Sequence, residues 1–227
     1  MSHPIDSGNR GTIFSVPSDT LIDLVSDHDP ARADDPDSPF PFMSGPSTRR
    51  IFWRHRELLK RLEHTAGLDP DPMWVDETSL DLMADALATA FALRAEPRKR
   101  RRSSTVVDQV ECVEAAKSFL ASQMTEPLSL DDVARHVGLS PYHLSRIFRE
   151  HTGVPVHRYL TRLRLRDALE RLANGAEDLT DLALDLGYAS HSHFTDTFRR
   201  EFGMPPSAVR AALRGGLLPK ASKIPEA

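Results

Sequence analysis

From Thr48 onward the apolar positions fall at helical spacing. Ile51, Phe52, His55, Leu58, Leu59 and Leu62 recur three and four apart, which predicts a helix from about Thr48 to His64, stopped by Gly67. After Asp69-Pro-Asp-Pro, the residues Leu80, Met83, Ala84, Leu87, Ala90 and Phe91 share one face of a second predicted helix, from about Glu77 to Leu93. Two helices joined by a short Pro-rich turn make an antiparallel hairpin over 48–96. Its apolar stripe is wide and the preceding residues offer little to bury it. The expectation is packing against a second copy of the chain, or against something missing from it.

Residues 1–47 are rich in Pro, Asp, Ser and Gly. Ile13, Phe14 and Val16 fit a short strand, Leu21, Ile22, Leu24 and Val25 a short helix, and the stretch from Asp27 to Pro46 reads as loop. Residues 97–105 read as a linker, with Pro97 followed by the basic run Arg98, Lys99, Arg100, Arg101 and Arg102. Helical periodicity resumes at Val106, with Val110, Val113, Ala116, Phe119 and Leu120, and continues to Leu213. The tail 214–227 is expected to be disordered.

Within 106–213 one pattern occurs twice. The first copy spans Leu128 to Pro155 and the second Leu179 to Pro205. Gly138 maps to Gly187 at an offset of 49, whereas Leu144, Phe148, Gly153 and Pro155 map to Phe194, Phe198, Gly203 and Pro205 at an offset of 50. One extra residue therefore lies between Gly187 and Phe194. Each copy reads as a helix-turn-helix: Ser129 as N-cap, a support helix over Val133 to Val137, Gly138 in the turn, and Pro141 opening the next helix. A long helix from about Val156 to Leu172 connects the copies. Such a unit presents one helix to a major groove, so two on one chain can read two groove segments.

Net charge is −4 over 227 residues, which is unpromising for a nucleic-acid partner until its distribution is considered. The first forty residues hold Asp6, Asp19, Asp23, Asp27, Asp29, Asp34, Asp35 and Asp37 against Arg10 and Arg32. Between Arg146 and Arg171 the balance reverses, with seven arginines facing Glu150, Asp167 and Glu170. Cys112 is the single cysteine, which removes any internal disulfide and makes a cysteine-rich metal site untenable. No apolar run reaches membrane-span length and the N-terminus has no signal-peptide pattern, so the expected location is the cytoplasm, with no membrane contact.

The segment from Val106 to Leu213 resembles the double helix-turn-helix domain of the AraC/XylS family of bacterial transcription regulators. The residues that carry the likeness are Leu130, Val133-Ala134, Gly138, Ser140-Pro141, Leu144-Ser145-Arg146, Phe148, Gly153, Pro155, Arg164, Leu182-Ala183, Gly187-Tyr188, Phe194, Phe198, Gly203, Pro206-Ser207 and Arg210. The resemblance implies a mainly α fold: a seven-helix DNA-binding domain whose long helix sets two recognition helices side by side on one face of DNA. Residues 2–12 resemble a strand pair from late in that family's cupin-like effector domain, and 48–93 its dimerisation hairpin. Most strands of a barrel are absent, which leaves an incomplete cupin-like remnant and no complete effector pocket to expect. A naturally shortened chain and a true start upstream of Met1 both fit.

Helical spacing turns Leu144, Ile147 and Phe148 inward and leaves Tyr142, His143, Ser145, Arg146 and Arg149 outward on the first recognition helix. By resemblance, Tyr142, Ser145 and Arg146 face the bases. Arg146 suits guanine O6 and N7 together, and Arg149 suits a phosphate. On the second, Phe194, Thr197 and Phe198 face the core, leaving His191, Ser192, His193, Thr195, Asp196 and Arg199 as the DNA-facing set. Asp196 stands where many family members place a basic residue. It could accept a bond from cytosine N4 or pair with Arg199 or Arg200, and the second unit is expected to bind more weakly or to recognise a cytosine. Arg158, Arg162 and Arg166 read as a solvated stripe reaching phosphate, and Arg164, among leucines, as half of an internal ion pair. His143, His191 and His193 do not share a helix face in a ligating pattern, so neither metal nor cofactor is expected.

The leading expectation is a sequence-specific, double-stranded-DNA-binding transcription regulator without catalytic activity. It would form a homodimer through 48–95, contact RNA polymerase if it activates, and have no identified effector. A DNA-repair methyltransferase fused to such a domain would need several cysteines. The alternative is a shortened family member that pairs with full-length regulators and modulates them.

Overall fold

The computed structural model describes residues 12–30, 40, 42, 44–64, 71–93, 106–175 and 178–214. They form α1 (Ser18–Ser26), α2 (Arg49–His64), α3 (Pro72–Ala92), α4 (Val106–Ser122), α5 (Leu130–His136), α6 (Pro141–Thr152), α7 (Val156–Ala173), α8 (Leu179–Asp185), α9 (His191–Phe202) and α10 (Pro206–Arg214). No strand occurs among the described residues. The strand expected at Ile13 to Val16 is absent, and so is any barrel remnant within that set, because no described segment lies alongside to pair with it. Instead, Val16 packs on the core and Thr12 Oγ1 lies 2.8 Å from His55 Nε2. Residues 2–11, the 97–105 linker and the tail beyond Arg214 lie outside the described set.

The helix boundaries follow local chemistry. Ser129 and Asp132 form a reciprocal capping box at α5. Ser140 and Ser190 each accept a backbone N–H from three residues on, His143 N at 3.2 Å and His193 N at 3.1 Å. Helix α3 begins five residues before its expected start, since Asp71 caps it through Met73 N at 3.1 Å and Pro72 occupies the first turn.

Two cores share the rod α7. Its N-terminal residues Val156 and Leu160 join Val113, Ala116, Leu120, Leu130, Val133, Leu144 and Phe148. Its later residues Leu165, Ala168 and Leu172 join Leu182, Ala183, Leu186, Phe194, Phe198 and Val209. At 1.5 Å per residue the 18-residue rod is about 27 Å long. The turn glycines fall in the left-handed region, Gly138 at φ 70° and Gly187 at φ 73°.

One face of the hairpin packs within this chain. Met73 and Leu80 of α3, with Leu24 of α1, belong to the same buried cluster as Leu130, Leu144 and Phe148. Helix α3 also supplies carboxylates to two helix N-termini. Leu130 N lies 3.4 Å from Asp76, while Val156 N and His157 N each donate to Glu77 at 2.8 Å. Pro155 gives α7 no side-chain cap, so Glu77, only 1 % exposed, does that work from a different part of the chain. Burial pushes the Asp76 carboxyl up, against the lowering effect of the Leu130 N–H. On the far side of the hairpin, Phe52 and Trp53 of α2 remain exposed.

Candidate nucleic-acid interface

Helix α6 is oriented by Leu144, Ile147 and Phe148, all buried, and closed by Gly153 in the left-handed conformation. Helix α9 repeats the arrangement with Phe194, Thr197 and Phe198 inward and Gly203 at its end. The extra residue of the second copy is Ala189. Leu139 N bonds Ala134 O and Tyr188 N bonds Ala183 O, each at 3.0 Å, so the turns match up to that point and then differ by one residue before the Ser cap.

The outward residues of α6 do not face open solvent. The Tyr142 hydroxyl donates to Asp27 at 2.8 Å, and Arg146 reaches both oxygens of Asp27 at 3.4 Å. Arg149 donates to both oxygens of Asp81, at 3.0 and 2.8 Å. The cap hydroxyl of Ser140 also donates to Asp23. Ser145, expected to face the bases, is buried at 4 % exposure and donates to Glu77 at 3.2 Å. That expectation is corrected: α3 lies over this part of α6. His143 is half-buried, with Nε2 buried and without a hydrogen-bond partner among the described residues; burial and then Arg146 lower its pKa. Burial and the bond to Asp27 push the Tyr142 phenol up.

The second helix is open by comparison. Ser192, Asp196 and Arg199 are exposed, and His191 and Thr195 are partly so, with 3.4 Å between His191 Nε2 and Thr195 Oγ1. Among the described residues Asp196 makes no ion pair with Arg199 or Arg200, because the three side chains extend into solvent. His193 is turned partly inward, its ring edge-on to Tyr188 with the centroids 5.4 Å apart, and burial lowers its pKa.

Two arginines of the rod differ from their expected roles. Among the described residues Arg164 makes no ion pair with a carboxylate. Its guanidinium donates to the main-chain carbonyls of Met124 at 2.6 Å and Glu126 at 2.9 Å, and lies over the Tyr188 ring at 5.8 Å. It joins the α4–α5 turn to the second unit, and a carbonyl pair satisfies the fork without a second buried charge. Arg158 and Arg162 face Glu201 of α9 at 4.0 and 3.6 Å, while Arg158 and Arg166 are the exposed members of the stripe.

Sequence reasoning missed Asp23, Asp27, Glu77 and Asp81 as partners of α6. The available signal was the opposition between an acidic N-terminal stretch and an arginine-rich segment, which gives complementarity but no address.

A helix-turn-helix domain family matches residues 133–212, from within α5 to within α10. The transcriptional activator AarP of Providencia stuartii is 33 % identical over 97 residues, covering 43 % of this chain and 72 % of that protein. The transcriptional activator RhaS of Escherichia fergusonii is 37 % identical over 156 residues, covering 68 % of this chain and 52 % of that one. Regulatory protein PocR of Salmonella typhimurium is 30 % identical over 117 residues, covering 52 % of this chain and 38 % of its own length. A solved AraC-type transcriptional regulator from Chromobacterium violaceum is 31 % identical, with a TM-score of 0.44, covering 47 % of this chain and 96 % of that one. The chain belongs to the AraC/XylS family and carries its double helix-turn-helix DNA-binding domain. It spans about half the length of RhaS and less of PocR. No described helix is long and apolar enough to cross a membrane.

Proposed function

We propose that this protein regulates transcription by sequence-specific binding to double-stranded DNA, with α6 and α9 entering two successive major-groove segments. The observation that carries the reading is the repeated, separately capped helix with an apolar inner stripe and a polar outer face, twice on one rod. In this reading Tyr142, Arg146 and Arg149 serve α6, with Arg146 on a guanine and Arg149 on a phosphate. Ser192, Thr195, Asp196 and Arg199, together with His191 and His193, serve α9, and the exposed Asp196 suits a cytosine N4 donor. Ser145 drops from the base-reading set for as long as Glu77 holds it.

The protein acts by binding, without catalysis, and in the cytoplasm. Exposed Phe52, Trp53 and Leu62 on α2 support homodimer pairing through 48–95. RNA polymerase is a further partner if the protein activates; no effector is assigned. Mapping bound sites across the genome, followed by protection of individual base pairs, tests the reading. Two protected patches one helical turn apart on one face are expected. A single patch, or protection independent of sequence, rejects the two-reader account.

A further inference from the structure

The five groups on the groove-facing side of α6 that make side-chain contacts are all engaged by carboxylates from α1, the residue after it, and α3. Asp23 takes Ser140, Asp27 takes Tyr142 and Arg146, Glu77 takes Ser145, and Asp81 takes Arg149. The repeat supplies an internal comparison. At the offset of 50, Arg149 corresponds to Arg199. The first is paired and the second is exposed, without an ion pair among the described residues. The difference is therefore the cover, not the motif.

Shape points the same way. Helix α1 packs along α6 and anchors itself with Leu24 and Val25, which are 1 % and 0 % exposed. A major groove about 12 Å wide and 8.5 Å deep admits one helix, itself about 10–12 Å across with its side chains. Helix α6 with α1 and α3 lying on it is too thick to enter.

We propose that α1 and α3 form an autoinhibitory cover for the first recognition helix, their carboxylates holding the tyrosine and arginines that DNA would otherwise engage. The proposal rests on the DNA-binding reading above. It makes the exposed α9 the first reader to touch DNA, with α6 following once the cover moves. The cover is releasable at its acidic edge. Arg146 and Asp27 are each 31 % exposed and Arg149 and Asp81 are 38 % and 28 % exposed, and pairs this wet are individually weak and yield to competing phosphates. Glu77 is the buried part of the latch and ties α3 to the N-terminus of α7.

The test uses the full chain and a mixed-sequence 30-base-pair duplex as probe, read by fluorescence anisotropy against salt. The triple variant Asp23→Asn, Asp27→Asn, Asp81→Asn keeps side-chain shape and removes the charges. A control, Glu111→Gln, Glu114→Gln, Glu170→Gln, removes three exposed charges elsewhere. The cover predicts that the triple variant binds at least about tenfold more tightly than the control. Its log–log salt slope would steepen by about 2, the share of two freed arginines at roughly 0.9 per phosphate. Binding equal to the control overturns the cover while leaving the DNA-binding reading intact. No binding by any form at low salt overturns both. Hydrogen exchange on the unmodified protein gives a readout independent of variant folding. Amides of α1 are expected to lose protection when the duplex is added, and retained protection in the bound state overturns the proposal.

Discussion

Replacing Glu77 by alanine removes a carboxylate that receives four donors at once: Val156 N, His157 N and the Ser145 hydroxyl, with His157 Nδ1 at 2.5 Å. Bonds to a charged acceptor contribute about 1.5–3 kcal/mol each, and a buried donor left alone costs about 1–3 kcal/mol. A simple sum overshoots, since water enters the vacated space and rescues some donors. The measured cost of stripping one partner from a buried charged cluster, about 3–5 kcal/mol, is the better guide. For a chain of this size that loss lowers the melting midpoint by roughly 6–20 °C. Glu77→Gln keeps the volume and one acceptor oxygen, and is expected to lose less. Urea and thermal unfolding followed by circular dichroism measure both variants. A Glu77→Ala protein melting within about 2 °C of the parent, a shift equivalent to less than about 1 kcal/mol, would refute the claim that this side chain fastens the hairpin to the rod.

Two turn glycines provide a matched pair. Gly138→Ala meets nothing within 4 Å and is expected to cost only the left-handed strain, about 1–2 kcal/mol, whereas Gly187→Ala also drives a methyl to 2.6 Å from Thr125 O and must cost more; equal urea midpoints would contradict this. His28, His143 and His193 are held below the free value of 6.5, chiefly by burial, so the unfolded chain binds protons first as pH falls. Their contribution to stability is present above about pH 6.5 and declines below it. Unfolding free energy at pH 7.5 and 5.5 checks this, and a His143→Asn, His193→Asn double variant with an undiminished slope would reject the assignment. Arg146→Ala is expected to lose about 1–3 kcal/mol of specific binding and relax preference at one base pair; an unchanged footprint removes its role.

Local chemistry was readable in advance and long-range docking was not. Ser129, Pro141, Gly138 and the Leu144–Ile147–Phe148 stripe announce the first unit because each acts within a few residues of itself. The inward turn of Thr197 followed from the same periodicity. Glu77 shows the opposite case. On a helix face it reads as an ordinary solvated carboxylate, and only the fold brings α7 to it. Likewise, spacing placed Ser145 outside its own unit correctly, but could not know that α3 would lie there. Arg164 was recognised as internal, yet its acceptors are main-chain carbonyls, which no side-chain pattern can advertise.

Ala189 bears on how the two readers could be exchanged. Its insertion accompanies Tyr188, which slides beneath Arg164 of the rod, whereas Leu139 packs within the first core. Grafting the whole second copy into the place of the first would import an aromatic ring with no guanidinium to shelter it. A specificity transplant between the copies therefore has to carry only the outer residues of α9 onto the α6 backbone, leaving the Gly187–Ser190 elbow where it evolved.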